Sequence, residues 1–177
     1  DAQVDATLAG VFAEHFVGAF TAEEPLRQVL QCRNGNVAVQ QTGRRYVLFK
    51  VSGLINHTVQ IKHGDVTLAG HTSPGGVIVR GLHTDETSRF CATDCDETAR
   101  GIDNVIVRHI RSRPRPAGDD GLIDGDGFRL RFSRNTIFDH VSSGNALDEA
   151  FEISFSNNIT VQDSVLSETL GEHTAFG

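Results

Sequence analysis

The sequence predicts an all-β protein, a parallel β-helix (solenoid) closed at its N-terminal end by helices. Three observations carry this expectation. From Tyr46 onward, short β-rich runs follow one another without helical spacing between them. A unit centred on asparagine recurs, as Asp103-Asn104-Val105-Ile106-Val107, Arg134-Asn135-Thr136-Ile137-Phe138 and Asn157-Asn158-Ile159-Thr160-Val161. The chain also has 18 glycines but only one tyrosine, with no tryptophan and no methionine, which suits tight turns and packed strands better than a helical bundle.

The elements follow in order. Residues 6–20 carry Leu8, Val11, Phe12, Phe16 and Phe20 at helical spacing. A second helix is expected to begin at Thr21, with Glu24 completing a capping box, Pro25 in the first turn and Leu26, Val29 and Leu30 as the apolar stripe. Residues 1–45 thus form a helical cap, because an open coil would expose its core and a sheet edge. Residues 46–177 form the coils, and the 177-residue chain is one domain. The β-rich runs are 46–51, 58–61, 66–68, 77–79, 105–110, 128–132, 136–138, 151–155 and 159–161.

A sandwich or barrel would couple neighbouring runs through tight hairpins. No such turns link them; Asp124-Gly125 and Asp126-Gly127 cluster in one place. The asparagine units recur at one to one-and-a-half coils, taking a coil as about 20–25 residues. An asparagine at a turn tolerates left-handed backbone, and stacked asparagines hydrogen-bond from coil to coil. Residues 84–100 and 111–120, charged and without period, read as longer loops on one side of the solenoid.

The net charge of −7 and pI near 5.5 argue against a nucleic-acid binder, which needs a basic face to neutralise phosphates. No apolar run is long enough to span a bilayer. The chain opens at Asp1 without a basic or apolar leader, which reads as a mature or trimmed form. Cys91 and Cys95 suit a local disulfide, free thiols or, more weakly, zinc. Cys32 reads as a buried apolar residue. Asn56-His57-Thr58 and Asn158-Ile159-Thr160 match the glycosylation pattern, and their position within coils makes the matches coincidental.

Several stretches resemble the pectate lyases, polysaccharide lyases built as right-handed parallel β-helices. Val66-Thr67-Leu68-Ala69-Gly70-His71-Thr72-Ser73-Pro74-Gly75-Gly76 is similar to that family's TIAGQTAPG strand and turn. Asn104-Val105-Ile106-Val107-Arg108 resembles NVIIR, and Ile137-Phe138-Asp139-His140 resembles the strand ending in Asp-His. Asp148-Glu149 with Phe151-Glu152-Ile153, then Asn158-Ile159-Thr160-Val161-Gln162 and Ser167-Glu168 with Leu170, match the following segments in the same order. The likeness runs from about Leu26 to the end.

Asp124 and Asp126 lie two apart on an extended segment and so face one side. Asp148 and Glu152 share that parity in the next coil, which stacks at about 4.8 Å. Four converging carboxylates repel one another unless a cation joins them, and calcium takes six to eight oxygen ligands. Ordinary solvated turn acids are the alternative. The resemblance implies calcium, held by Asp124, Asp126, Asp148 and Glu152 and bridging to uronate carboxylates. Arg111, Arg113 and Arg115 either line a groove for those carboxylates or form a solvated loop. The resemblance implies a structural role for the Asp139-His140 pair.

The activity implied is calcium-dependent cleavage of polyuronate by β-elimination, in a secreted or periplasmic protein. In the family, an arginine from a coil C-terminal to the last one in this sequence removes the C5 proton, so the catalytic base is unassigned. The rival expectations are a non-catalytic β-helix that binds acidic polysaccharide through calcium and a structural or adhesion β-helix. An uncovered last coil predicts self-association or a further segment that covers it.

Overall fold

The computed structural model describes residues 17–21, 42–50, 52–84, 102–114 and 125–170. The chain is a right-handed parallel β-helix of triangular section. Its first face stacks β2 (Arg45–Phe49), β4 (Val66–Ala69), β6 (Ile102–Arg108), β9 (Ser133–Asp139) and β12 (Asn157–Gln162), all parallel. The second face is made by the first residues of β3 (Gly53–Ile61) and β5 (Val77–Thr84) with β7 (Ile110–Ser112), β10 (Ser142–Ser143) and β13 (Val165–Leu166). The third face is made by the last residues of β3 and β5 with β8 (Phe128–Arg131) and β11 (Phe151–Ser154). In β3 and β5 the chain passes from the second face to the third without leaving the strand, and the pairing register shifts between Ile55 and Thr58.

Residues in left-handed backbone stack into ladders from coil to coil, both within the first face and at the corners beside it. Within the first face the ladder is Asp65, Asn104, Asn135 and Asn158, with φ of 55°, 60°, 51° and 53°. Their amides bond coil to coil: Asn104 donates to Asp65 at 2.9 Å, Asn135 to Asn104 at 3.4 Å and Asn158 to Asn135 at 2.7 Å. The recurrent asparagine unit therefore makes the stack expected from the sequence. These rungs are 39, 31 and 23 residues apart. The two longer intervals contain the aperiodic stretches 84–100 and 111–120, most of which lie outside the described residues. A second corner carries His109, His140 and Asp163, and a third carries Phe132 and Phe155, whose rings stack at 5.0 Å.

The core fills the interior with apolar residues from all three faces. Val47, Leu68, Val107 and Phe138 come from the first face, Val79 and Ile110 from the second, and Leu82 and Phe128 from the third. Phe128, Phe138 and Phe151 meet at centroid distances of 4.9–5.5 Å across the interior. Edge-to-face packing adds to the burial of each ring. Arg45 is also buried, and its guanidinium donates to the carbonyls of Gly43, His63 and Gly64 at 2.7–2.9 Å. It ties the first described coil to the turn before β4.

The helical cap needs one correction. The spacing that placed residues 6–20 in a helix ends on β1 (Val17–Thr21), a strand that pairs antiparallel with β2 from Val17 against Phe49 to Thr21 against Arg45. The free edge of β2 supplies a row of backbone donors and acceptors, and satisfying them outweighs the local helical pattern in this segment. The remainder of both expected helices lies outside the described residues, as do Cys32, Cys91 and Cys95. All nine β-rich runs fall wholly or mostly on strands. The sequence reading missed the opening residues of β3 and the short strands β10 and β13. Among the described residues, no helix is long and apolar enough to cross a membrane.

Candidate metal centre

The alternation in Phe128-Arg129-Leu130-Arg131 sends the apolar residues into the core and both arginines outward on the third face. Strand register then sets Glu152 beside Arg129. Arg129 is only 2% exposed. Its Nε donates to Glu152 Oε2 at 2.7 Å, and its Nη2 lies 2.5 Å from Asp126 Oδ2. Arg131 donates to both oxygens of Glu152, at 2.8 and 3.1 Å, and Ser154 Oγ donates to Oε1 at 2.6 Å. Glu152 is therefore fully engaged as a carboxylate between two guanidiniums.

Asp126 precedes β8 in a run whose glycines are dictated by contact. Gly125 has φ of +59°, and a Cβ at Gly127 would fall 1.8 Å from Ser143 Oγ and 2.5 Å from Ala150 O. The backbone of this run lies directly on the next coil: Gly127 N–H donates to Glu149 O at 2.9 Å, and Glu149 N–H donates to Asp126 Oδ1 at 3.2 Å. This closeness brings Asp126, Asp148 and Glu149 together, with one carboxylate oxygen from each lying within 4.8 Å of the others. Calcium binds oxygens at about 2.3–2.6 Å, so two ligands of one ion stand at most about 5 Å apart. The three carboxylates fit that geometry.

Electrostatics separate the two acids on Arg129. Burial pushes the Asp126 carboxyl up to about 8, while Arg129 and the Glu149 backbone N–H pull it down. Burial also opposes ionisation of Glu152, but hydrogen bonds from Arg131 and Ser154 and the charges of both arginines outweigh it and lower its pKa. Glu152 is thus a fixed anion.

Of the acids expected from the sequence, Asp126 and Asp148 come together and Glu152 lies apart on the arginines. The parity argument joining Asp148 to Glu152 assumes one continuous strand, but β11 begins at Phe151, and Asp148 sits in the irregular turn before it. Asp124 and Arg115 lie outside the described residues. Arg111 and Arg113 sit on and beside β7 on the second face. Arg111 donates to Gly75 O at 2.9 Å, and Arg113 donates to Ser112 O and Ser142 O at 2.6 and 3.1 Å. Glu149, Arg129 and Arg131 lie in this neighbourhood without being among the residues singled out from the sequence. The alternating F-R-L-R pattern was the signal for the arginines, whereas only the turn before β11 selects Glu149.

No family model matches the chain, and no solved structure matches it significantly. Its similarity is to curated fungal proteins named probable pectate lyase C. That of Emericella nidulans is 37% identical over 143 residues, which is 79% of this chain and 30% of the relative. The Aspergillus flavus protein is 34% identical over the same shares, and the Aspergillus terreus protein is 33% identical over 75% of this chain and 29% of its own length. The chain therefore spans about 30% of the length of the curated relatives it matches. Together with the parallel β-helix, this similarity shows that the chain bears a family relationship to the pectate lyases.

Proposed function

We propose that this chain supplies metal and substrate subsites of a secreted, calcium-dependent polysaccharide lyase that acts on pectate or a similar polyuronate. The observation that carries this reading is the approach of Asp126, Asp148 and Glu149 to within 4.8 Å beside two outward arginines, in a chain related to the pectate lyases. Asp126, Asp148 and Glu149 would hold the ion, with Asp124 as the further ligand that the resemblance implies. Bound calcium supplies charge that binds the uronate carboxylate and acidifies its C5 proton. Arg131 is part-exposed, and its charge favours an anionic sugar in front of the third face. Arg111, Arg113 and Arg115 would extend that contact along the polymer.

The test is the ultraviolet absorbance of unsaturated uronate ends released from polygalacturonate, first with calcium and then with chelator. A calcium-dependent rise that Asp148→Asn abolishes supports the lyase. Calcium binding by calorimetry without any rise confines this chain to the metal and substrate subsites. Absence of both the rise and calcium binding overturns the proposal. The reading also includes self-association, or cover by a further segment, at the apolar side chains Phe155, Val165 and Leu170, which are 55%, 61% and 53% exposed. Monomers at high concentration in light scattering overturn self-association.

A further inference from the structure

The second corner of the β-helix, between the first and second faces, carries a cluster separate from the carboxylates of the third face. Its rungs are His109, His140 and Asp163, in equivalent left-handed positions with φ of 54°, 54° and 49°. Backbone bonds lock the stack, His109 N–H donating to Asp139 O at 3.1 Å and His140 N–H to Gln162 O at 3.2 Å. The imidazoles of His109 and His140 stack with centroids 4.8 Å apart, and His71 meets His109 edge-on at 5.6 Å. Donor atoms of Asp139, His140 and Asp163 lie within 4.8 Å of one another.

Asp139 orients this cluster. It is only 4% exposed and accepts from Arg108 Nε at 2.7 Å and Gln162 Nε2 at 3.2 Å. His140 Nδ1 lies 2.6 Å from Asp139 Oδ1. A carboxylate oxygen this close to Nδ1 calls for a donor there, which places the hydrogen of His140 on Nδ1. The lone pair of His140 Nε2 is then directed away from Asp139, the arrangement in which a carboxylate behind a histidine prepares it as a metal ligand.

We propose that this corner is a binding site for a borderline divalent transition metal of the zinc class, with His109 and His140 as nitrogen ligands, Asp163 as carboxylate ligand and Asp139 as the residue that positions His140. Two imidazoles and one carboxylate from successive coils form the ligand set that suits such ions and leaves positions open to water. The rungs repeat at about 4.8 Å, so an ion over the middle rung is within side-chain reach of both outer ones. His109 and His140 are both exposed, so an ion in solvent has access to this side of the corner. The resemblance offers no counterpart for two of the imidazoles: His71 stands where the related motif has glutamine, and His109 follows the end of the NVIIR-like strand. The proposed ion would clamp three coils together on the side chosen by the histidine ladder, whatever the activity of the third face.

The test is calorimetric titration of the full chain with Zn2+ alone. His109→Asn and His140→Asn are the informative variants, because asparagine accepts the left-handed backbone that the corner requires, as it does at Asn104 and Asn135. One equivalent of zinc is expected in the unaltered chain, bound at least tenfold more weakly in either variant and undiminished in Asp148→Asn. Equal affinity in all four proteins, no binding in the unaltered chain, or a loss confined to Asp148→Asn overturns the site. Circular dichroism checks that the variants fold. If they do not, selective broadening of the His109 and His140 ring resonances by substoichiometric Cu2+ in the unaltered chain decides the question: broadening of both supports the site, and broadening elsewhere overturns it.

Discussion

Two polar rows climb this β-helix, one on the third face and one along the corner ladders. The third-face row is anchored by a buried pair: Asp126 and Arg129 are 1% and 2% exposed, and Arg129 joins Asp126 to Glu152. The corner rows stand in water, and their asparagines and histidines bond or stack mainly with their own equivalents one coil away. Both rows come from the same stacking of coils. The difference in solvent makes the first a set of costly charges that must be balanced and the second a set of inexpensive repeating contacts. Stacking alone therefore does not create a charged site; loss of water around it does.

The largest effect expected from breaking this contrast is on the buried row. Glu152→Ala removes the carboxylate that both Arg129 and Arg131 contact, and leaving buried charge uncompensated costs about 3–5 kcal/mol. Urea unfolding measures it, and a loss below about 1 kcal/mol would mean that Glu152 is not what balances the buried guanidinium. Phe138→Ala opens the centre of the aromatic cluster and is expected to cost a similar amount, about 3–5 kcal/mol by the same measurement. It calibrates how much of the stability is apolar packing rather than charge balance.

The pH dependence sharpens the comparison because the two acids on Arg129 shift in opposite directions. Glu152 has a lowered folded pKa, so its contribution is present above its unfolded value near 4.3 and is lost as pH falls through the folded one. Asp126 is raised to about 8, so the folded state holds a proton that the unfolded state has released, and its contribution to stability declines as pH rises from about 4 to 8. Asp126→Asn should flatten the decline between those limits, and Glu152→Gln should remove the acid-side loss. Thermal unfolding from about pH 2 to about pH 9 reads both, and identical profiles in the two variants would contradict the assignment.

A smaller effect is expected in water. Asn135→Ala breaks the rungs to Asn104 and Asn158 and forces alanine into left-handed backbone, for a loss of about 1–2 kcal/mol. Asn135→Gly keeps the backbone conformation and should lose less. If Asn135→Ala costs as much as Glu152→Ala in the same urea titration, the distinction between a buried and a solvated row fails.

The sequence by itself determined the solenoid. Glycine and asparagine at the corners, apolar residues inside and a recurrent unit are local requirements that each coil meets with its own residues. The ladder of Asn104, Asn135 and Asn158 was legible for that reason. It also determined that acids gather near Asp126 and Asp148. Tertiary structure decided which of them lie together: Glu149 comes beside Asp126 and Asp148 through the turn before β11, whereas Glu152 pairs with Arg129 and Arg131 through register with β8. It likewise turned residues 17–21 from an expected helix into an edge strand, because the unpaired backbone of β2 is a long-range partner that local spacing does not contain. The histidine corner shows the same limit, since His71, His109 and His140 lie far apart along the chain and become neighbours only when coils of unequal length stack. Pattern within a coil belongs to the sequence; adjacency between coils depends on loop length, register and the exclusion of water, which exist only once the chain has folded.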